Sequence, residues 1–505
     1  MEHDNNGPLL GLIHPSLLKP GQVARWTETG VAPTCKLLRK PVSLEELKGH
    51  QHRFAILHDN DVMIYVTTRK ADISNRAVKN NSCVCFKFGG DVVFIVGPND
   101  NAIAQTLSCL MDLEKESTKS YSFEVSGSWG NIFDFSAAGS QCLERLCEFA
   151  FSNKVEFHRM LLSAEQSAVL ATRRHPMNLS LRNCRFADGG TAFVDELKVR
   201  RESFGSLQLC NSSPFDARNM QQFLQVDCLD HFGAKVIKGT FAPLSTKADS
   251  VHLNEETQNN IDADDIGNLN ICARKLSLCL TVKRTFQRIQ VLGLLRRLAQ
   301  LGHLIELKIA FWSLNDSHSV PNANAITQEL IRTVKANTSL QVLDLTTHGI
   351  YLNWKTRHLK ELFDGVKDHE ALRTLKISCP DGGDCEDVCG PSFIHLRRLL
   401  SHKRNLAVVG DFGGVYTDGD LVDEIYSFNR FFMGSASIVD EALSRRSSLV
   451  TTALVESASY DFRLNALLLA NHADILCELI QFVDSDVMEV QERPPRGPVR
   501  KRRRN

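Results

Sequence analysis

One six-residue pattern, Leu-x-x-Leu-x-Leu, limits what this chain can fold into more than any other feature. Clear copies are Leu304-Ile305-Glu306-Leu307-Lys308-Ile309, Leu340-Gln341-Val342-Leu343-Asp344-Leu345 and Leu372-Arg373-Thr374-Leu375-Lys376-Ile377. A further copy, Leu179-Ser180-Leu181, runs on to Cys184 and Phe186. Alternation at the end of each copy predicts a strand with one apolar face. Between copies the apolar spacing turns helical. Ile326, Leu330 and Val334 form one such stripe, and Leu359, Leu362, Phe363 and Val366 another. A lone strand and helix cannot bury its own apolar side, whereas stacked copies share a continuous core. The expected class is therefore α/β, with a curved parallel sheet and outer helices, centred on residues 154–411.

The same reading divides the chain. Residues 1–50 are rich in Pro and Gly and read as a loose lead-in. Residues 51–130 hold short runs such as Phe54-Ala55-Ile56-Leu57 and Val92-Val93-Phe94-Ile95-Val96, then a helix with Ile103, Leu107 and Leu110 on one face. They form either a separate α/β domain or degenerate first repeats. The array occupies 131–415, and Ser163-Ala164-Glu165-Gln166 within it reads as a capping box. Thr246–Asn270 carries Asp249, Glu255, Glu256, Asp262, Asp264 and Asp265, and reads as a polar insertion or an eroded repeat. Beyond Gly419 the strand signal stops. Leu421, Ile425, Phe428 and Phe432 recur at helical spacing, so 416–488 is expected to be a helical C-terminal cap. Residues 489–505 are a basic tail, expected to be disordered.

Composition narrows the function classes. Lys+Arg and Asp+Glu both number 59 in 505 residues, so no global field recruits nucleic acid or a membrane. The 15 cysteines are odd in number and scattered, and Met1–Pro20 lacks the basic start and apolar core of a signal peptide. Reduced thiols in the cytoplasm or nucleus are expected. No phosphate loop, dinucleotide fingerprint, nucleophile elbow or zinc-helix motif occurs. Asp411-Phe412-Gly413 spells a kinase triplet without the other kinase motifs. Cys379, Cys385 and Cys389 lie near Asp381, Asp384, Asp387 and His395, but no second close thiol pair completes a metal site. Cys83-Val84-Cys85 puts two thiols on one strand face, read as core packing. No metal, cofactor or catalysis is expected.

The extended motif Leu-x-x-Leu-x-Leu-x-x-(Asn/Cys)-x-Leu resembles the leucine-rich repeats of the long, helix-containing, ribonuclease-inhibitor-like class. The copy at Leu179 has Cys184 at the turn position, while the other copies place Trp312, His348 and Pro380 there. The resemblance covers about half the chain and is specific for architecture. It implies a buried Leu side and an outward polar row on the concave face, and it leaves the turns without their usual Asn.

The outward positions are Asn178, Ser180, Arg182, Gln208, Glu306, Lys308, Asp344, Thr346, Thr374 and Lys376. A non-catalytic scaffold gripping a protein partner is the function this implies. A substrate-recognition subunit of a ubiquitin-ligase-like complex is an alternative, although no F-box opens the chain. An enzyme with its chemistry in the N-terminal region is another. The run Arg500, Lys501, Arg502, Arg503, Arg504 is read as a nuclear localisation signal for an importin, or as a solvating tail. Neither a membrane nor sequence-specific nucleic acid is an expected partner.

Overall fold

Alternating apolar side chains do set strands where the Leu pattern recurs, and the strands join laterally. The computed structural model describes residues 7–19, 22, 25–26, 30–31, 33–43, 45–48, 54–67, 82–88, 91–111, 123–127, 132–149, 154–235, 241–256, 266–281, 285–312, 323–346, 356–378, 389–456, 461–475 and 477. They fall into two compact units, Met1–Leu352 and Asn353–Asn505. Both are α/β, and in the first the sheet is long and mostly parallel, with flanking helices. That architecture is compatible with a repeat solenoid.

In the first unit the sheet opens on mixed, mainly antiparallel strands. Leu10–Leu12 pairs with Thr34–Leu37, so described residues of the expected loose lead-in join the sheet. The sheet continues through Phe54–His58, Val62–Thr67, Asp91–Gly97, Ser82–Phe88 and Phe123–Gly127. Cys83 and Cys85 pack here beside Met63, Tyr65, Phe94 and Val96, and burial raises the Cys83 thiol pKa. Helix Asp100–Met111 buries Ile103, Leu107 and Leu110, the face its spacing predicts.

Phe123–Gly127 is the switch point. One side pairs antiparallel with Ser82–Phe88 and the other parallel with Lys154–His158. From there every neighbour is parallel: Met177–Arg182, Gly205–Cys210, Leu229–Lys235, Ser250–Glu256, Lys275–Thr281, Glu306–Trp312 and Val342–Asp344. Val155, Leu179, Leu207, Phe232, Val251, Leu276, Leu307 and Leu343 occupy one register position, giving steps of 24, 28, 25, 19, 25, 31 and 36 residues. The acidic segment read as an insertion does not interrupt the sheet. Its Ser250–Glu256 pairs on both sides, because Val251 and Leu253 supply the buried alternation. The 19-residue step before it has room only for the single turn Ala242–Ser245 in place of a helix.

Successive repeats leave the sheet by the same bend. Arg159, Asn183 and Asn211 follow three adjacent strands at positive φ (57°, 53° and 69°). Their N–H groups donate to Arg182, Cys210 and Lys235 carbonyls at 2.8–3.0 Å, carrying the ladder one residue past the strands. Two of the three are Asn, which tolerates the left-handed region. Cys184 is fully buried and its Sγ donates to the Phe157 carbonyl at 3.3 Å, so a thiol serves the backbone group that Asn would. The capping box is present. Ser163 Oγ accepts from Gln166 N–H, Gln166 Oε1 accepts from Ser163 N–H, and Gln166 Nε2 donates to the Phe135 and Gly139 carbonyls.

In the second unit Thr374–Lys376 and Ala407–Val409 pair in parallel. Helices Thr356–Val366 and Ile394–His402 bury Leu359, Leu362, Leu396 and Leu400. After Gly419 come Leu421–Ile438, Leu443–Glu456 and Phe462–Asn471, all helical as expected. Residues 439–442, expected within a helix, form the turn between the first two. No described helix is long and apolar enough to cross a membrane.

Candidate functional site: a polar row across the sheet

Side chains alternate between the two faces of a strand, so in-register parallel pairing stacks outward residues into rows about 4.8 Å apart. One row reads Glu124, Glu156, Ser180, Gln208, Gly233, His252, Ser277, Lys308, Asp344. Ser180, Gln208, Lys308 and Asp344, chosen from the Leu pattern, thus share a single line. Arg182 and Glu306 lie in the rows on either side. Lys376 belongs to the second unit, where it is opposite Val409. The basic run 500–504 lies outside the described residues, as does all of 379–388.

The row is more enclosed than an open polar surface. Ser180 is only 6% exposed and Asp344 9%, while Gln208, His252, Ser277 and Lys308 are half-buried. Charges are largely satisfied laterally: Arg182 with Glu156, Lys275 with Glu306 and Lys308 with Asp344, each at 3.4 Å. Asp344 Oδ1 also accepts from Thr346 N–H at 2.9 Å and from its hydroxyl at 2.5 Å. Arg182 Nε is buried without an acceptor among the described residues.

At the centre stand two histidine–serine pairs that the Leu pattern did not reveal. His231 Nδ1 lies 3.0 Å from Ser250 Oγ, and His252 Nδ1 lies 2.7 Å from Ser277 Oγ. When the hydroxyl donates, the imidazole carries its proton on Nε2. Burial, then the charges of Lys235, His231 and Lys308, push the His252 pKa down to about 4. Burial also lowers that of His231. Both rings are therefore neutral near pH 7.

This sets a testable sign. Between pH 6.5 and about 4 the unfolded chain binds the His252 proton and the folded chain does not, so stability is full above 6.5 and falls with pH through that window. The expected loss is on the order of 2 kcal/mol, discounted because the ring is only part-buried. Denaturation midpoints of the native chain and His252→Gln across pH 4–7 should show a shallower slope for the variant. Equal slopes would contradict the assignment.

Among the described residues no three His, Cys, Asp or Glu side chains converge as metal ligands. Among the described residues neither imidazole is hydrogen-bonded to a carboxylate that would orient it, as a nucleophilic triad would need. What the row offers is a line of donors, acceptors and charges, interrupted only at Gly233. Compared with known protein families, curated protein sequences and solved structures, the chain matches none.

Proposed function

We propose that this chain is a degenerate leucine-rich-repeat scaffold of the ribonuclease-inhibitor-like class. It binds a protein partner through the polar row on the concave face of its sheet, and it catalyses no reaction. The observation that carries the reading is the register. Residues from 124 to 344 converge on one polar line, and the apolar positions beside them are buried. A line of half-buried polar groups across eight or more strands matches an extended macromolecular surface better than a small molecule, which needs a concave apolar pocket. The part-buried Gln208 amide and the imidazoles of His231 and His252 supply hydrogen-bonding groups near its centre.

The experiment is a quantitative pull-down with the full-length chain and a variant carrying Gln208→Ala, His252→Ala and Lys308→Ala, with circular dichroism confirming the fold. A control carries Lys198→Ala on a helix. The expected result is at least one protein partner lost about tenfold or more with the row variant and retained with the control. Equal recovery of every captured protein would overturn the proposal.

A further inference from the structure

Helix Leu421–Ile438 does not bury its most apolar stripe. Its buried residues are Val422, Asn429 and Ser435. Asn429 Nδ2 donates to the Leu400 carbonyl at 2.9 Å, and the Tyr426 hydroxyl accepts from Val408 N–H at 3.2 Å, which fixes the helix by that side. Leu421, Ile425, Phe428 and Phe432 are left at the edge of solvent, with Leu421 44% exposed. On the neighbouring helix Ile394–His402, Ile394 is 51% exposed. Two hollows of about 410 Å³ each lie against these helices and share Ser401, Glu424 and Ile425, so they form one groove.

The groove's charge is one-sided. Arg397, Arg398, Arg404 and Arg463 line it against Glu424 and Asp461. Asp461 and Arg463 pair with each other, Asp461 accepting from Arg463 N–H at 2.8 Å with Arg463 Nε at 3.8 Å, so the remaining charge is Arg397, Arg398 and Arg404 against Glu424. Arg404 differs from the rest. Its guanidinium stands 4.0 Å from the Phe432 ring centroid and 5.6 Å from that of Phe428, and it makes no ion pair with any described residue. Stacking on a ring holds the guanidinium plane while leaving its edge donors free for a carboxylate.

We propose that this groove docks an acidic amphipathic helix of a partner protein. The partner's apolar residues lie on the Ile425–Phe428 stripe, and one of its carboxylates is taken by Arg404. The stripe from Leu421 to Phe432 spans about 16 Å, the length of three helical turns. This is a surface separate from the polar row, and its test does not depend on that reading.

The test is fluorescence anisotropy with the full-length chain and two synthetic helices of about 14 residues, four helical turns. Both carry Leu at i, i+3, i+4 and i+7; one has Glu at the remaining positions and the other Lys. The Glu helix is expected to bind about tenfold tighter or more than the Lys helix, the scale of a charge-assisted bidentate pair. Arg404→Lys should weaken it, Arg404→Glu should weaken it further and improve the Lys helix, and Ile425→Asp should weaken both. Arg404 is exposed, so these variants keep the fold, and circular dichroism checks it. Equal binding of the two helices, or no response to Arg404→Glu, would overturn the proposal. So would oligothymidylate or phosphatidylserine vesicles binding this site through Arg404 in preference to the Glu helix.

Discussion

Replacing Phe193 by Ala is expected to lower the unfolding free energy of the first unit by about 3–5 kcal/mol. Phe193 is fully buried on helix Thr191–Val199, and its ring meets Phe186, Phe215 and Phe204 at centroid distances of 5.4, 5.7 and 5.8 Å. The contacts continue from Phe215 to Phe223 at 5.0 Å and from Phe223 to Phe232 at 5.3 Å. Removing Phe193 takes out the ring that touches Phe186, Phe204 and Phe215 together. The hole is lined by rings that cannot collapse into it, so the upper part of the range applies. Denaturant titration followed by circular dichroism reads the loss, and Phe193→Leu should recover most of it. A change below about 1 kcal/mol would mean that the rings do not meet as described.

The second large effect is polar. Asn337 is fully buried between two helices and a strand. Its Oδ1 accepts from Leu304 N–H at 2.8 Å, and its Nδ2 donates to the Leu298 carbonyl at 3.1 Å and the Thr333 carbonyl at 2.8 Å. One amide therefore closes the end of helix Ala323–Ala336, the end of helix Thr285–Leu301 and the entry to the strand at Glu306. Asn337→Ala strands these groups away from water, at about 1–3 kcal/mol each when unsatisfied, and a total on the order of 3 kcal/mol is expected after partial relaxation. Asn337→Asp keeps the acceptor but buries a charge and loses both donors, so at neutral pH it should cost at least as much. Thermal denaturation of the two variants decides this. Native-like stability in both would contradict the buried network.

How much of this was readable in advance follows from which signals are local. Strands with Leu at every inward position, such as Leu307 and Leu343, stood out. Alternation alone therefore places their outward neighbours Lys308 and Asp344 on the sheet face. The strands around Phe232, Val251 and Leu276 escaped the Leu template although each has its alternation: Phe232-x-Ala234, Val251-x-Leu253 and Leu276-x-Leu278-x-Leu280. Missing them hid Gly233, His252 and Ser277, the centre of the row. The acidic residues of 249–265 suggest an insertion, whereas over Ser250–Glu256 the buried Val251 and Leu253 make a strand. The His–Ser pairs join residues 19 and 25 positions apart, and only sheet register brings them together. Helical spacing finds the stripe Leu421–Ile425–Phe428–Phe432, but amphipathicity alone does not say what such a stripe faces.

The central claim is that residues distant in sequence share one unbroken polar row. Spin labels at Gln208 and Lys308 test it most directly. Four strand steps separate them, through Gly233, His252 and Ser277, which at about 4.8 Å per step puts the labelled backbones roughly 19 Å apart. A narrow distance distribution near that value, widened only by the label arms, is the expected result. A broad distribution, or one centred well beyond about 30 Å, more than six such steps, would show that the sheet breaks between them and that the row does not exist.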